Sequence, residues 1–454
     1  MKPQASPQAN PQRHLFMAEL VNILDPNHAL VRLSKEIDWE YFDNHFGKMF
    51  DQGKGRPAIC TRLMVALHYL KFNYNLSDEA TLAGWIENPY WQFFSGMKYF
   101  AHGMPIHPTS MTNWRKRFGQ DGAEALLKQT IEVGLKVKAI KETELKRVNV
   151  DTTVQEKFIR YPTDIRLYDR VREHLVKMAE KVGIKLRQNY NKVSKQLLFD
   201  QQRYAHARQS KKAAACVRKS KTILGRVIRD IERKIICEDS VLSELLVLAK
   251  RIFEQKKNSK NKVYSVHEPD VVCIAKGKAH KKYEFGCKVG IAATSRGGWL
   301  LGAIAFPGNP YDGHTMKDMV EQVERIAKLP KQIFADLGYR GHNGPTTVEV
   351  NVVPRKRGKI AKSLWRWMKR RAAVEPTIGH LKHEHRMTGN RLKGTLGDQL
   401  CATLAAAAMN FHKLLKFFEK FLLFSFFILY IGRIKSIVED TLALIKLPAL
   451  GIAR

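Results

Sequence analysis

A stretch of about 100 residues, from about 165 to 262, has helical periodicity and interrupts a chain whose strand-like segments lie before and after it. Residues 181–230 within it hold 14 Lys and Arg side chains against Asp200 and Asp230, a net charge of +12. So many uncompensated positive charges repel one another unless an anion lies near them. We therefore predict a basic helical insertion whose surface contacts phosphate, with an ordinary solvated helix face as the alternative interpretation.

The segments around the insertion have the patterns of a mixed α/β core. Val148 and Val150 alternate with Asn149 and Asp151, which predicts a half-buried strand with Asp151 near its end. Further strand candidates are YEFGCKVGIAA, GGWLLGAIAF, KQIFAD and VEVNVVP. A helix is expected across about 315–327, between GGWLLGAIAF and KQIFAD. This order of elements predicts an α/β fold with an all-helical interruption.

Residues from about 15 to 140 have helical patterns throughout. Within them MTNWRKRFG predicts a short basic helix that ends at Gly119. Such a helix after a turn suits a helix-turn-helix unit that reads the major groove of DNA, although basic helices are also common on protein surfaces. The candidate DNA contacts on it are Arg115, Lys116 and Arg117.

The overall charge favours a nucleic-acid partner. The 454 residues include 78 Lys and Arg against 43 Asp and Glu, which gives +35 and a pI near 9.9. The six cysteines form no CxxC pair, and the polar, proline-rich residues 1–14 lack the apolar core of a signal peptide. We expect a disordered lead over 1–14 and a cytoplasmic protein.

The hydrophobic tail, residues 421–454, raises the question of a membrane. Its charge-free part, Phe421 to Ile431, is 11 residues long. A spanning helix needs about 20 residues, so a membrane span is disfavoured. A C-terminal helix that contacts another copy of the chain is the preferred interpretation.

Three acidic residues occur where they could carry chemistry. Asp336 follows the apolar run KQIFAD, Asp151 lies in the first strand, and Glu375 lies in a helical segment beside Pro376. A buried carboxylate is costly unless it is paired, and carboxylates that converge can hold Mg²⁺ ions. Turn formation by Asp336 and an ion pair between Glu375 and Arg371 are the structural alternatives.

Other polar groups compete for a site role. Asp312, in GNPYDGHT, is a rival acid but is more typical of a turn or a helix cap. His380, His383 and His385 invite a zinc interpretation, yet no cysteine lies near them in the sequence. Neither pattern predicts a site as well as the three acids do.

The stretches VNVDTTVQ, FADLGYRGH and Arg371-xxx-Glu375-xxxxxx-Lys382 resemble the DDE transposases of bacterial insertion sequences, and most closely the "insertion sequence 5" branch. The resemblance covers roughly residues 15–425. The tyrosine that the family has three positions before the arginine is Met368 here, which departs from the family pattern.

The resemblance implies an RNase H-like core in which Asp151, Asp336 and Glu375 bind two Mg²⁺ or Mn²⁺ ions. It implies cleavage of DNA ends by water and attack of the freed 3′-OH on target DNA, with Arg371 and Lys382 as DNA contacts. The expected partners are double-stranded DNA and further copies of the chain, as a homodimer or a higher oligomer.

The expected organisation has three parts after the lead. They are a helical DNA-binding domain over 15–140, an RNase H-like catalytic domain over 141–420 that contains the insertion at about 165–262, and the hydrophobic tail over 421–454. Three other functions remain open: a catalytically inactive DNA-binding protein derived from a transposase, a metal-dependent nuclease that does not join strands, and a membrane-associated basic protein that uses residues 417–432.

Overall fold

The computed structural model of the protein describes residues 17–50, 58–235, 240–256, 258–275, 282–356 and 358–445, with side chains in the last range only to residue 420. The predicted lead, 1–14, lies outside the described residues. So do the side chains of the hydrophobic tail, whose backbone is described only as far as Ile445.

In the described part of the chain, seven helices precede the first strand. They are α1 (Leu20–Ile23), α2 (Ala29–Glu36), α3 (Trp39–Gly47), α4 (Thr61–Asn73), α5 (Asp78–Glu87), α6 (Pro89–Phe94) and α7 (Pro108–Lys136). The predicted end of the basic helix at Gly119 is confirmed as a break inside α7. Gly119 has φ 58° and ψ −156°, a backbone conformation that favours glycine.

The strands form one mixed sheet. They are β1 (Arg147–Glu156), β2 (Val272–Ala275), β3 (Tyr283–Thr294), β4 (Leu300–Phe306), β5 (Gln332–Ala335) and β6 (Glu349–Val352). Their order is β2-β3-β1-β5-β6, and β4 also pairs with β3. The pairs β1·β3, β2·β3 and β3·β4 are antiparallel, whereas β1·β5 and β5·β6 are parallel. The predicted strand segments and the mixed α/β class are therefore confirmed.

The remaining helices are α8 (Asp164–Lys181), α9 (Asn191–His206), α10 (Ser210–Glu232), α11 (Ser240–Glu254), α12 (Met316–Ile326), α13 (Lys362–Arg370), α14 (Val374–His383) and α15 (Gly394–Ile445). Helix α12 confirms the helix predicted across about 315–327. Helices α8–α11 lie between β1 and β2, and α8, α10 and α11 bury an apolar core of their own, apart from the main one.

Helix α15 joins the N-terminal helices to the sheet. Its Asn410 accepts a hydrogen bond from the Leu300 amide of β4 at 2.9 Å and donates to the Thr130 hydroxyl of α7 at 3.1 Å. Phe411 stacks on Tyr69 of α4 with ring centres 4.9 Å apart. Since one continuous core contains all of these contacts, the N-terminal helices are packed against the sheet.

Arg115 has a structural role in this packing. Its side chain is only 3% exposed, and its guanidinium donates to both carboxylate oxygens of Asp78 at 2.8 and 2.5 Å. Lys71 bonds the same carboxylate at 2.6 Å. Because this buried pair occupies the guanidinium, the prediction that Arg115 contacts DNA is wrong. Lys116 and Arg117 are exposed on the same helix.

The buried charges around Asp78 shift its titration. Burial alone would raise the pKa of the Asp78 carboxyl, but hydrogen bonds and charges from Arg115 and Lys71 hold that pKa well below its usual range. A carboxyl with a depressed folded pKa contributes stability that is present at neutral pH. That stability is lost as the pH falls from the unfolded pKa towards the folded one.

Within the described residues, none of the helices combines the length and the apolar character that crossing a membrane requires.

We expect Arg115→Met to reduce the stability of the N-terminal helices by about 3–5 kcal/mol, because it removes one of the two cations that neutralise the buried Asp78 carboxylate. Lys116→Met is the matched control: it changes an exposed cation one position along and should cost less than about 0.5 kcal/mol. Thermal unfolding followed by circular dichroism at pH 7 measures both variants. Equal midpoints for the two would contradict the structural role of Arg115.

Candidate active site

The pairing of β1 with β5 brings two of the predicted acids together. The last parallel pair is Asn149 opposite Phe334, and Asp151 and Asp336 each come two residues later. Asp336 follows the end of β5 but keeps an extended backbone, with φ −79° and ψ −179°. Asp151 and Asp336 therefore occupy equivalent positions on two neighbouring backbone segments. Because paired strands lie about 4.8 Å apart, the backbone brings the two carboxylates near each other.

Asp151 lies in the middle of β1, which corrects its predicted place near the strand end. The strand continues to Glu156 because β3 pairs with it as far as Gly286. The predicted face is right: Val148 and Val150 are completely buried, while Asp151 lies on the opposite face with its side chain 15% exposed. The alternation identifies the face of a strand but not its end.

Asp336 opens a short 3-10 turn, Leu337–Tyr339, as well as ending the strand. Its Oδ1 accepts a hydrogen bond from the Gly338 amide at 2.9 Å, so the turn chemistry considered as an alternative is also present. Gly338 leaves a gap between acids. A Cβ there would lie 3.0 Å from Asp336 Oδ1 and 3.0 Å from Asp312 Oδ2.

Tyr339, the next residue after Gly338, has a buried hydroxyl. The side chain is completely buried, and its hydroxyl makes no hydrogen bond of normal geometry, although Thr315 lies close enough to lower its pKa. Burial raises the pKa of Tyr339 well above its usual value, and the charges of Asp151, Asp312 and Asp336 raise it further. The hydroxyl of Tyr339 therefore lies within electrostatic range of three carboxylates.

Glu375 reaches the site through Arg371. The guanidinium donates to Asp151 Oδ2 at 3.1 Å and to Glu375 Oε1 at 3.0 Å, so it bridges the two acids. The ion pair proposed as the alternative for Glu375 is thus present. Glu375 and Pro376 lie in the first turn of α14, where a proline costs no helical hydrogen bond, so the predicted helix start near Pro376 is confirmed.

Helix α13 is anchored over the same face of β1. Asn149, two residues before Asp151, donates from Nδ2 to the Arg370 carbonyl at 3.1 Å. Arg370 in turn donates from Nε to the Ser295 carbonyl at 2.9 Å. Asn149 and Asp151, which lie on one face of β1, thus bind Arg370 and Arg371 at the end of the helix.

A second charged pair, which the sequence patterns did not reveal, lies beside Asp151. Asp312 Oδ1 accepts from Lys288 Nζ at 2.8 Å and from Thr152 Oγ1 at 2.9 Å. Lys288 lies within the apolar run 285–293 of strand β3 and also donates to the Pro310 carbonyl at 2.6 Å. A lysine inside an apolar strand is the signal that could have predicted this pair.

The other predicted residues differ in their exposure. Lys382 is half-buried on α14, and Lys116 and Arg117 lie exposed on α7. His380 pairs with Glu384 at 2.6 Å, and His385 is buried with its Nδ1 3.2 Å from the Phe72 carbonyl.

The fit of a divalent metal can be tested on these side chains. The donors are carboxylate oxygens, which hard Mg²⁺ prefers, and the gap at Gly338 separates two of them. Arg371, however, lies between Asp151 and Glu375, and in the described part of the chain no three His, Cys, Asp or Glu side chains are close enough to hold an ion. The donor chemistry fits, whereas Glu375 is held by the arginine.

Comparisons with known proteins match both halves of the chain. The family model described as "Transposase domain (DUF772)" matches residues 18–117, and the one described as "Transposase DDE domain" matches residues 265–411. The second match contains Asp312, Asp336 and Glu375. It begins after α8–α11, so Asp151 lies outside it.

A relative from Rhizobium meliloti is named "Uncharacterized protein ORF8 in nfe locus". It is 50% identical to this chain over 195 residues, which cover 43% of this chain and 94% of the relative. No solved structure matches. Because transposase families match both the N-terminal helices and the region that carries Asp336 and Glu375, the chain belongs to the DDE transposases of insertion sequences.

Proposed function

We propose that this transposase binds the inverted-repeat ends of its insertion sequence, cleaves the DNA and joins the 3′-OH ends to target DNA. The observation that carries the proposal is the shared level of Asp151 and Asp336 on neighbouring segments, with Arg371 and Glu375 beside them. Phosphoryl transfer needs carboxylates and cations together at one place, and this arrangement supplies both.

We propose that Asp151, Asp336 and Glu375 hold two Mg²⁺ or Mn²⁺ ions, which when bound would activate the attacking oxygen and stabilise the leaving one. Arg371 and Lys382 bind phosphate in this scheme. The Arg371 guanidinium is a planar donor that suits phosphate as well as carboxylate. An incoming phosphate therefore competes with Asp151 and Glu375 for Arg371, and its binding leaves both acids available as ligands.

The proposed division of the chain follows the elements. Residues 15–140 form the DNA-binding domain, and residues 141–420 form an RNase H-like catalytic domain with the insertion at about 165–262. The mixed sheet supports this assignment, because its central pair β1·β5 carries the two aspartates. Two inverted-repeat ends must be held together, which favours a homodimer or a higher oligomer on DNA.

One face of α10 has the charge pattern of a DNA-backbone contact. Lys211, Arg218, Arg226 and Arg229 recur at spacings of seven, eight and three residues, so they share one face, and all four are exposed. Among the carboxylates that the structure describes, none forms an ion pair with these four side chains. The stripe runs about 27 Å along the helix, at 1.5 Å per residue.

Two alternatives use the same fold. A transposase-derived DNA-binding protein without catalysis would need none of the acids, and the ion pairs at Asp151 and Glu375 would then be purely structural. A nuclease would cleave without joining. Products joined to a target plasmid distinguish a transposase from the nuclease, and cleavage itself distinguishes both from the inactive protein.

We expect Asp336→Asn to reduce cleavage at least about 100-fold, because each 1.36 kcal/mol of lost transition-state stabilisation is tenfold and a catalytic metal supplies several kcal/mol. The assay uses purified protein, Mg²⁺ or Mn²⁺ and a duplex that carries the repeat flanking the gene. Asp318→Asn, an exposed acid on α12, is the control and should cleave normally. If Asp336→Asn cuts as well as wild type, the metal-ligand assignment is wrong.

We expect Arg218→Ala with Arg226→Ala to weaken DNA binding for all sequences alike. Each lost phosphate contact makes the negative slope of log K against log salt shallower by about 0.9. For the double variant we therefore expect a slope that is shallower by about 1.8. Arg170→Ala is the control, because Arg170 on α8 is already paired with Glu173 at 2.8 Å. Fluorescence anisotropy across a salt series measures all three proteins, and an unchanged slope for the double variant would exclude the α10 stripe.

A further inference from the structure

The carboxylate of Asp312 has one anchored oxygen and one directed at the candidate active site. Lys288 and Thr152 both donate to Oδ1, at 2.8 and 2.9 Å. Oδ2 accepts none of the hydrogen bonds found among the described residues, and it lies at the gap beside Gly338. A carboxylate held through one oxygen by neighbouring donors is oriented to offer the other oxygen to a cation.

The gap at Gly338 has the size of a shared ion site. Asp312 Oδ2 and Asp336 Oδ1 each lie 3.0 Å from the point that a Cβ would occupy, so they are at most 6.0 Å apart, twice that distance. Oxygens that bind Mg²⁺ at about 2.1 Å, or that bind a pair of ions about 3.5–4 Å apart, fall within this separation. Any side chain at position 338 would fill the space.

The hydroxyl of Tyr339 is an independent sign that this space takes a ligand. Tyr339 is completely buried, and its hydroxyl has no hydrogen bond of normal geometry, although the charges of Asp151, Asp312 and Asp336 act on it. A buried polar atom without a partner is costly and calls for a ligand, an ion or a water.

Asp312 is also better enclosed than Glu375. Its side chain is 27% exposed, whereas that of Glu375 is 61% exposed and engaged by Arg371. Thr152 bonds Asp312 and is the next residue after Asp151, so strand β1 fixes both acids with respect to each other. Across the Gly338 gap, the carboxylate that faces Asp336 is that of Asp312.

We propose that Asp312 is a further metal ligand, which together with Asp336 binds divalent metal across the Gly338 gap in the free protein. Lys288 and Thr152 are positioning residues that hold Oδ1 so that Oδ2 faces the ion. The inference rests on the proposed function, and it assigns a metal-binding role to an acid outside the predicted Asp151, Asp336 and Glu375 set.

Direct metal binding tests the proposal without activity. Mn²⁺ is titrated into the full-length protein, without DNA, and the free ion is followed by electron paramagnetic resonance. We expect Asp312→Asn and Asp336→Asn each to weaken Mn²⁺ binding roughly tenfold or more, the scale on which lost partners act at metal sites. Asp318→Asn, six positions along, should bind like wild type.

The outcomes separate the two proposals. Normal Mn²⁺ binding by Asp312→Asn beside weakened binding by Asp336→Asn overturns the role of Asp312 and leaves the proposed function intact. Absence of Mn²⁺ binding by wild type, or normal binding by both variants, also overturns it. In those cases the cleavage assay with Asp336→Asn still decides the proposed function by itself.

A thiolate at position 312 distinguishes a ligand from a positioning group and reports on a folded variant. Soft thiolates select soft metals, so Asp312→Cys should bind Cd²⁺ and give the ultraviolet charge-transfer band of a metal thiolate. The control Asp318→Cys carries the same extra cysteine on the surface of α12. A stronger band at equal Cd²⁺ in Asp312→Cys supports direct ligation, and equal bands in the two variants overturn it.

Discussion

Parallel pairing between β1 and β5 fixes where the acids of the site can lie. The two strands pair over only three residues, ending at Asn149 and Phe334, yet they are separated by 185 positions in sequence. A slip of one residue in either strand would turn its aspartate to the opposite face of the sheet. The register is held by burial, because Val148 and Val150 on β1 and Phe334 on β5 have no exposed surface.

The acids held by this register need counter-ions in the free protein. Arg371 bridges Asp151 and Glu375, and Lys288 bonds Asp312, so cations already neutralise much of the negative charge. The gap at Gly338, between Asp312 and Asp336, is the place where carboxylate oxygens face each other without an intervening side chain.

The sequence revealed what local chemistry determines. The strand end and turn at Asp336 were predicted because an apolar run and a glycine adjoin it, and α12 was predicted because its periodicity is strong. Arg115 was assigned to DNA wrongly because its partner Asp78 is 37 positions away. Asp312 looked like a turn residue, since its partners Lys288 and Thr152 come from two distant strands. Contacts between distant segments decide such roles, and no local pattern contains them.

The long insertion leaves this site undisturbed because its two ends are joined at one place. Lys157, just after β1, is buried and bonds Glu268, before β2, at 3.1 Å and Asp398, on α15, at 2.9 Å. The cost of closing a loop rises only slowly with its length, so the segment between these ends can be long. Helices α8, α10 and α11 bury their own core. The proposed contact of the charged face of α10 with DNA therefore does not require any change in the sheet. Contacts within the sheet keep the register of β1 with β3 and β5.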